Sequence, residues 1–434
     1  MDWLVVVGVV AFVIGLLASI ALHEIGHLVP AKLFDVKVTQ YMVGFGSTVW
    51  SRQRGETEYG VKAIPLGGYV RMIGMFPPEP GDDPHKLRTA STGPFQALIE
   101  DARRAAKVEI QPGDEDRVFY RQPWWKKLIV MLGGPMMNVV IAVILAGIVL
   151  MSFGIAVAQT TVSSVSECVI PVEEGDRECG PSDPLTPAAQ AGFQPGDRLV
   201  SFNGTAITTW DEASAQIRAA GAGPATVVVE RDGAMVTLRP DLIATKRPAD
   251  PSGLSDELVT VGFLGVAPTV EVETQDALAA VAWVGDFTGT MARAVISIPQ
   301  RMVGVWEAAF GGADRDPMSP VGIVGAGRIG GEIATLDAPV ADRVTAFVLL
   351  LASFNMAIAL FNLIPLLPLD GGHIAGAIWE GIKRAWAKVT RGPTPRPVDV
   401  AKALPLAYGM AAVLIGMAVL LLYADIVNPI RLTG

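Results

Sequence analysis

The sequence predicts a polytopic α-helical membrane protein with four transmembrane helices and one extracytoplasmic α+β domain. Two observations predict this class. Hydrophobic residues make up 51% of the 434 residues, charged residues only 18%, and the mean hydropathy of +0.42 exceeds that of ordinary soluble domains. Four uncharged stretches are also long enough to cross a hydrocarbon core about 30 Å thick as helices. They run through residues 3–22, 128–157, 346–369 and 403–423.

Basic residues cluster at one end of each predicted span, and such residues mark its cytoplasmic side. Lys32 and Lys37 follow the first span, whereas Lys126 and Lys127 precede the second. The basic residues between the third span and the fourth include Lys383, Arg384, Lys388 and Lys402. The N-terminus is therefore expected outside the cytoplasm. The first span has neither a basic start nor a small-residue cleavage site, so we expect it to stay in the protein rather than leave as a signal peptide.

These spans divide the chain into eight predicted segments. In chain order they are the first span (1–34), a cytoplasmic loop (35–127) with a membrane-associated β-hairpin at 59–75 and a mobile insertion at 78–120, the second span (128–157), the extracytoplasmic domain (158–268), an amphipathic gating segment (269–343), the third span (344–371), a second cytoplasmic loop (372–402) and the fourth span (403–424). The net charge of -9 comes largely from the outer segment and indicates solubility. Nothing in the charge pattern supports nucleic-acid binding.

The first span ends with the motif His23-Glu24-Ile25-Gly26-His27. On a helix, residues i and i+4 share a face, so both imidazoles can bind one metal ion while Glu24 faces a metal-bound water. Zinc with an open fourth position is the expected cofactor, because it activates water for hydrolysis. A structural role in a core is the alternative for such histidines. It is less favoured here, since three ionisable residues inside a membrane span carry a large energetic cost.

Asp370 is the candidate third metal ligand. The first and third spans both run inward, so their C-terminal ends lie near the same leaflet, and no other Asp or Glu remains unassigned within a predicted span. Pro365 and Pro368 should end the third helix and expose backbone beside this aspartate. An Asp-Gly turn that merely meets water is the alternative. Asn362 is a candidate hydrogen-bond donor to the site or a helix-interface residue, and His373 is expected to support a ligand rather than bind metal.

Together these motifs resemble those of the site-2 protease family of intramembrane zinc metalloproteases, in particular the bacterial regulator-of-sigma proteases of the actinobacterial type. Further segments that look like family motifs are 43–46, 64–70, 133–138 and 319–323. The resemblance implies His23, His27 and Asp370 as zinc ligands and Glu24 as the catalytic acid and base. It also implies a single-pass transmembrane substrate, typically an anti-sigma factor, that an upstream site-1 type protease has already shortened.

The same resemblance assigns roles to residues around this site. A transmembrane helix must unwind before its peptide bonds can be cut, so the enzyme needs a surface that holds an extended strand. The predicted hairpin has two short strands whose free edge would bind substrate by β-addition, and an ordinary cytoplasmic hairpin is the alternative. Its candidate clamp residues are Ile64, Leu66, Gly67, Gly68 and Tyr69. The candidate active-site support residues are Asn362, Pro365, His373 and Asn138, the last of which lines the cavity or packs between helices.

The outer segment is similar in residues 187–204 to the core of a PDZ domain, a module that accepts a peptide terminus as an added strand. A helix at about 210–220 and strands at 226–231 and 235–240 are predicted to follow. The domain is expected to bind substrate tails or to exclude uncut ectodomains by size, with a spacer role as the alternative. Cys168 and Cys179 are the only cysteines, and the oxidising side predicts a disulfide unless both remain free thiols. Residues 275–310 are predicted to form an amphipathic helix at the outer surface that gates access or simply packs.

The leading functional hypothesis is an intramembrane zinc endopeptidase for regulated intramembrane proteolysis. We expect a multi-pass protein of a bacterial cell membrane, with the N-terminus and the PDZ domain outside the cytoplasm. Expected partners are the single-pass substrate, the upstream protease and the lipid bilayer, without nucleic acid. The alternative hypothesis is a non-catalytic membrane zinc transporter or a PDZ-bearing scaffold. Glu24 discriminates between the two, since only a protease needs it as a proton carrier.

Overall fold

The computed structural model describes residues 3–77, 110–170, 178–180, 182–249, 258–316 and 318–431. The chain forms two compact units. One combines Met1–Val149 with Ala277–Gly434, and the other is Leu150–Asp276. Most of the mobile insertion predicted at 78–120 lies outside the described residues.

Long apolar helices make up most of the first unit. The α-helices among the described residues are α1 (Trp3–Leu33), α2 (Trp124–Ile148), α3 (Pro187–Ala191), α4 (Trp210–Ala220), α5 (Ala277–Trp306), α6 (Ile323–Thr335), α7 (Val340–Asn362), α8 (Asp370–Val389) and α9 (Leu404–Val427). Of these, α3 and α4 belong to the second unit. Within this described part, four helical stretches are long and apolar enough to cross a membrane: Trp3–Leu33, Trp124–Phe153, Val340–Asn362 and Val400–Val427. Their number and order confirm the four predicted spans.

The third spanning helix ends earlier than its apolar run predicts. α7 ends at Asn362, because Pro365 and Pro368 lack the amide hydrogen that a continuing helix needs. The chain then turns, with a cis Leu367–Pro368 bond, and α8 begins at Asp370. The connection predicted only as a cytoplasmic loop thus contains a helix of 20 residues. Asp370 lies in its first turn, where the helix dipole favours a carboxylate.

A second buried acidic residue, besides Glu24, lies inside a spanning helix, contrary to the sequence expectation. α9 extends to Val427 and includes the buried Asp425, which the predicted fourth span left out because its charge interrupts the apolar run. Asp425 Oδ1 pairs with Arg315 Nη1 at 2.9 Å. Its Oδ2 atom accepts hydrogen bonds from the backbone amides of Gly322 and Gly325, at the start of α6. The argument that no other acidic residue lies within a span therefore does not support Asp370 as a metal ligand. Only the position of Asp370 in the structure can support that role.

The segment after α1 forms a two-stranded antiparallel sheet of β1 (Val38–Arg54) and β2 (Thr57–Met72). Its turn contains Gly55, whose φ of 62° suits glycine, so the predicted pair of short strands turning near Gly67 is wrong. Both strands bend back on themselves, because Tyr41 pairs with Tyr59 on one side and Val70 on the other. Residues 68–72 are consequently an outer strand, and no described strand pairs with their second edge.

The end of the predicted mobile insertion is held against this sheet. Lys37 Nζ pairs with the buried Asp114 at 2.5 Å. The amide of Phe119 donates to the carbonyl of Ile73 at 3.0 Å, which continues the backbone pairing. Residues 114–120, which the prediction places in the mobile insertion, therefore pack against the segment around this sheet.

The second unit is an α+β fold with two sheets. Its strands are β3 (Ile155–Val165), β4 (Arg198–Phe202), β5 (Thr205–Ala206), β6 (Gly223–Pro224), β7 (Val227–Arg231), β8 (Ala234–Leu238), β9 (Asp241–Pro248), β10 (Leu258–Phe263) and β11 (Val266–Glu273). One sheet has the order β11-β3-β4-β7-β8 with β5 beside β4, and the other has the order β10-β9-β6. The helix α4 and the strands β7 and β8 confirm the elements predicted at 210–220, 226–231 and 235–240. Buried Leu199 and Val229 pack in its core.

Cys168 and Cys179 form a disulfide within this second unit, with their Cα atoms 5.9 Å apart. Cys168 also pairs with Leu185 in an isolated antiparallel bridge, which ties the closed loop to the following chain. In the first unit, α5 confirms the amphipathic helix predicted at 275–310. The helix α6 that follows was not predicted.

Candidate metal centre

His23 and His27 lie one turn apart near the end of α1, as their spacing predicts. Their rings meet edge to face with centroids 5.0 Å apart. His27 Nδ1 donates a hydrogen bond to the carbonyl oxygen of Val130 on α2, at 2.8 Å. Because this bond needs the proton on Nδ1, the Nε2 atom of His27 is the nitrogen that can bind a metal ion.

Asp370 brings a third donor to this pair from a distant part of the chain. Its Oδ2 atom lies 3.4 Å from His23 Nε2 and 3.3 Å from His27 Nε2. Donor atoms of the three residues all lie within 4.8 Å of one another. The structure thus brings together all three of the ligands that the sequence predicts.

The two separations between Asp370 and the imidazoles fit a tetrahedral zinc ion. Bonds of about 2.0–2.2 Å at tetrahedral angles place neighbouring ligand atoms about 3.3–3.6 Å apart. The observed 3.3 and 3.4 Å distances from Asp370 to the two imidazoles lie within this range. Two neutral nitrogens with one carboxylate also form a donor set that catalytic zinc uses, with a fourth position left for water.

Gly134 on α2 leaves space beside the two imidazoles. A β-carbon at this position would lie 2.7 Å from His23 Nε2 and closer still to His27 Nε2. It would occupy the volume that an ion needs, because zinc lies about 2 Å from each ligating nitrogen. The neighbouring Gly26 and Gly133 bring the backbones of α1 and α2 into direct contact at the same level. The close approach of these helices therefore forms a cradle that only glycine at position 134 keeps open.

Glu24 is 8% exposed and lies where the hairpin sheet meets α1. A β-carbon at Gly68 would lie 2.8 Å from Glu24 Cγ and 3.1 Å from its Oε1, so the outer strand passes directly beside the carboxylate. The Tyr41 hydroxyl donates to the carbonyl of Ala21 at 2.8 Å and anchors the sheet to the same helix. Burial, with smaller contributions from Glu24 and Tyr59, raises the pKa of Tyr41 to about 12, so this donor keeps its proton at neutral pH.

Asn138 lies one turn after Gly134 on α2, so the two residues share a face of the helix. It is 1% exposed, and its Oδ1 atom has no hydrogen-bond partner among the residues described. His23 Nδ1 is likewise buried and without a partner in that part of the chain. A buried polar atom without a partner is costly. Both roles predicted for Asn138, in the active-site cavity and in helix packing, stay predictions.

The other three support residues lie outside the ligand cluster. Asn362 is the last residue of α7, and Pro365 is exposed in the turn that follows. His373 lies one turn after Asp370 and lines a cavity with Lys127 and Glu380. None of the three belongs to the group of donors that could share a metal ion, as far as the structure describes the chain.

The five candidate clamp residues lie in one continuous strand, β2, and not around a turn. A β-carbon at Gly67 would lie 2.7 Å from the ring of Phe45, and the Tyr69 ring stacks on that ring with centroids 6.3 Å apart. Gly68 in turn approaches Glu24. Gly67 and Gly68, which suggested a turn in the sequence, therefore lie within a strand, where the lack of a side chain lets the backbone pass close to Phe45 and to Glu24.

Two parts of this region were missed from the sequence. The Val130 carbonyl that orients His27 is a backbone group, and no side-chain pattern could have marked it. Lys127 and Glu380 form a buried ion pair at 2.8 Å between α2 and α8. Lys127 gave only an orientation signal in the sequence, although a charged residue next to an apolar run is also a candidate for pairing.

Known proteins resemble this chain over nearly its whole length. Residues 11–392 match peptidase family M50. The chain is 36% identical over 440 residues to the zinc metalloprotease Rip1 of Mycobacterium bovis, which covers 98% of this chain and 99% of the relative. It is 34% identical over 450 residues to the zinc metalloprotease Rip1 of Mycolicibacterium smegmatis, with 98% of each covered. The metalloprotease MmpA of Caulobacter vibrioides is 28% identical over 390 residues, with 84% of each covered.

Proposed function

The chain belongs to peptidase family M50 and is a site-2 type zinc metalloprotease of the membrane, and from this premise we propose that it performs regulated intramembrane proteolysis. Its substrate is a single-pass membrane protein that an upstream site-1 type protease has shortened, and we propose an anti-sigma factor. The position of Glu24 carries the proposal. This carboxylate is buried in a spanning helix, beside a three-donor cluster and against the outer strand of a sheet.

His23, His27 and Asp370 would hold the zinc ion in this proposal. Bound there, zinc polarises the substrate carbonyl and lowers the pKa of a water molecule toward about 7. The hydrogen bond from His27 to the Val130 carbonyl fixes the orientation of that imidazole. Asp370 supplies the negative charge from the first turn of α8, where packing of that helix against α2 limits its movement.

Glu24 is the proposed proton carrier. Its carboxylate takes a proton from the water that attacks the substrate carbonyl, and it gives this proton to the amine nitrogen as the peptide bond breaks. Its location one residue after His23 keeps the carboxylate next to the ligand cluster throughout the reaction. Burial excludes bulk water, so the charge of Glu24 acts on the reacting groups with little screening.

The outer strand of the hairpin sheet is the proposed substrate clamp. Residues 68–72 have an edge with which no strand in the described part of the chain pairs. An extended peptide added there would bind through backbone hydrogen bonds, which replace those that a substrate helix loses on unwinding. Because Gly68 lies against Glu24, such a peptide would run beside the proton carrier.

The second unit is proposed to be an extracytoplasmic PDZ domain. The distribution of Lys and Arg around the spans supports this orientation, and the disulfide suits an oxidising compartment. The helix α4 and the neighbouring strands follow the order expected from the resemblance. The domain would either bind a substrate terminus or exclude uncut ectodomains by size. A transporter or scaffold is not favoured, since relatives matched over 98% of the chain are zinc metalloproteases.

Glu24→Gln tests the catalytic proposal, because it removes the proton carrier and keeps the size of the side chain. In cells that contain only this variant, membrane-retained stubs of the substrate should accumulate and be identified by mass spectrometry. The zinc content of the purified variant should equal that of the unmodified protein. Glu271→Gln, a matched change at an exposed carboxylate of the second unit, should leave processing intact. Normal processing in the Glu24 variant would contradict the proposal.

A further inference from the structure

The helix α8 has an exposed apolar face. Five large side chains on it are between 44% and 79% exposed: Ile378, Trp379, Ile382, Trp386 and Val389. At about 100° per residue they fall within roughly one third of the helix circumference. A different face, which includes Ile374 and Ala377, is buried within the first unit. α8 is also not among the described helices that could cross a membrane.

Contacts with α2 place this face at a defined depth. A β-carbon at Gly381 would lie 2.8 Å from the ring of Trp124, so the middle of α8 rests on the first residue of a spanning helix. Lys127, less than one turn further along α2, binds Glu380 at 2.8 Å. Tryptophans at the ends of spans lie in the interface between lipid headgroups and acyl chains. The part of the exposed face around Gly381, which includes Ile378, Trp379 and Ile382, is therefore level with that interface.

Positive charge surrounds the face, although the whole chain has a net charge of -9. The segment 370–402 contains six basic residues: Lys383, Arg384, Lys388, Arg391, Arg396 and Lys402. Its three acidic residues all have partners. Asp370 faces the two imidazoles, Glu380 pairs with Lys127 and Arg384, and Asp399 accepts from the amide of Ala401. The segment thus presents excess positive charge to its surroundings.

We infer that this face of α8 binds an anionic phospholipid surface, with the side chains that are level with Trp124 among the upper acyl chains and Lys383 and Lys388 at the phosphates. An exposed apolar face favours insertion at the interface, and flanking basic residues favour anionic over zwitterionic lipid. The segment has six basic and three acidic residues, and this excess of positive charge selects lipid phosphate as the partner. Because α8 begins with Asp370, the bound lipid also stabilises the position of the third candidate ligand; this last step rests on the proposed function.

A fluorescent label on α8 tests lipid contact in the full-length protein. Both cysteines of the chain are joined in a disulfide, so Ala385→Cys supplies the one free thiol, beside the exposed face, for a bimane label. The labelled protein, which also carries Glu24→Gln, is placed in bilayers of phosphatidylcholine and phosphatidylglycerol. One or the other lipid is brominated in its acyl chains and quenches the label on contact. At equal mole fraction, brominated phosphatidylglycerol should quench about fivefold more strongly than brominated phosphatidylcholine.

Charge reversal then tests the basis of this preference. Lys383→Glu combined with Lys388→Glu should make the two lipids quench equally, and the milder pair Lys383→Gln and Lys388→Gln should give an intermediate ratio. Arg239→Glu with Lys246→Glu, a matched reversal at two exposed residues of the second unit, should leave the preference unchanged.

Three results would overturn the inference. Equal quenching by both lipids in the labelled protein with native charges would remove the anionic preference. Absence of quenching by either lipid would show that the face is covered by protein. A preference retained after charge reversal would assign it to other residues. Each measurement uses a protein without the candidate proton carrier, so none depends on proteolysis, and failure of the proposed function would leave the lipid result intact.

Discussion

Two aspartates of the first unit, the half-buried Asp370 and the buried Asp425, differ in how the protein satisfies their charge. Asp425 pairs with Arg315 at 2.9 Å and accepts two backbone amide hydrogen bonds. Asp370 instead faces two imidazole nitrogens at 3.3 and 3.4 Å, which is longer than a good hydrogen bond. The charge of Asp425 is thus balanced by Arg315 within the protein, whereas the atoms around Asp370 are spaced for a cation. A carboxylate in a membrane protein indicates a binding site when its own fold leaves it incompletely paired.

Asp370→Asn should have the largest effect, and it tests whether the atoms around Asp370 bind a cation. The amide keeps the size but loses the charge, so zinc affinity should fall by more than about a hundredfold, the upper range for residues that only support a ligand. Peptidase activity should fall with it. Zinc per purified protein is measured by mass spectrometry, and Asp425→Asn serves as the matched control that should retain zinc. Full zinc occupancy in the Asp370 variant would remove this residue from the ligand set.

Asp425→Asn tests whether the ion pair of Asp425 stabilises the fold. It leaves Arg315 buried without its charge partner, which should reduce the free energy of unfolding by about 3–5 kcal/mol. Thermal unfolding in detergent checks this loss. Replacing both partners by leucine removes the unpaired charge and should recover part of the stability, because the amides of Gly322 and Gly325 still lack their acceptor. If the double variant is no more stable than Asp425→Asn, the ion pair is not the reason for the loss.

Gly134→Ala tests whether the cradle between α1 and α2 is made for an ion. The added β-carbon would lie among the imidazole nitrogens, so zinc affinity should fall at least about tenfold, while the helix itself tolerates alanine. Gly147→Ala on the same helix, where nothing lies within 4 Å of an added β-carbon, is the matched control. Equal zinc affinity in the two variants would contradict the cradle.

Asp197 in the second unit extends the comparison to another buried aspartate, for which we expect the smallest effect. Burial alone would raise its pKa, but hydrogen bonds from Arg231 at 2.6 and 2.7 Å and from the amide of Gln194 hold the pKa below its usual value. The resulting stabilisation is complete above the unfolded pKa of about 3.9 and is lost as the pH falls through the folded pKa.

Amide exchange around Gln194, corrected for the intrinsic pH dependence, measures this loss in the full-length protein. Protection should weaken below about pH 4 in the unmodified protein, and Arg231→Gln should make it weaker already at neutral pH. Protection that stays constant down to about pH 2 would show that the Asp197 carboxylate does not contribute to stability.

Local sequence patterns predicted part of the fold, and they failed where contacts between residues far apart in the chain determine the structure. The hairpin was placed wrongly because Gly67 and Gly68 look like a turn, whereas they allow a strand to pass Phe45 and Glu24. α9 was predicted too short because hydropathy counts Asp425 as a charge, although Arg315 neutralises it. α8 was missed because the glycines after Asp370 weaken its helical pattern and packing against α2 compensates.

By itself the sequence determined the four apolar spans and the common helix face of His23 and His27. Both follow from the length and repeat of a helix, which are local properties of the backbone. Only the tertiary structure decided that Asp370 meets the two imidazoles, that Gly134 leaves room beside them, and that Gly68 lies against Glu24. These contacts depend on the distances between elements, which are set by packing among residues far apart in the chain, and no periodicity records them.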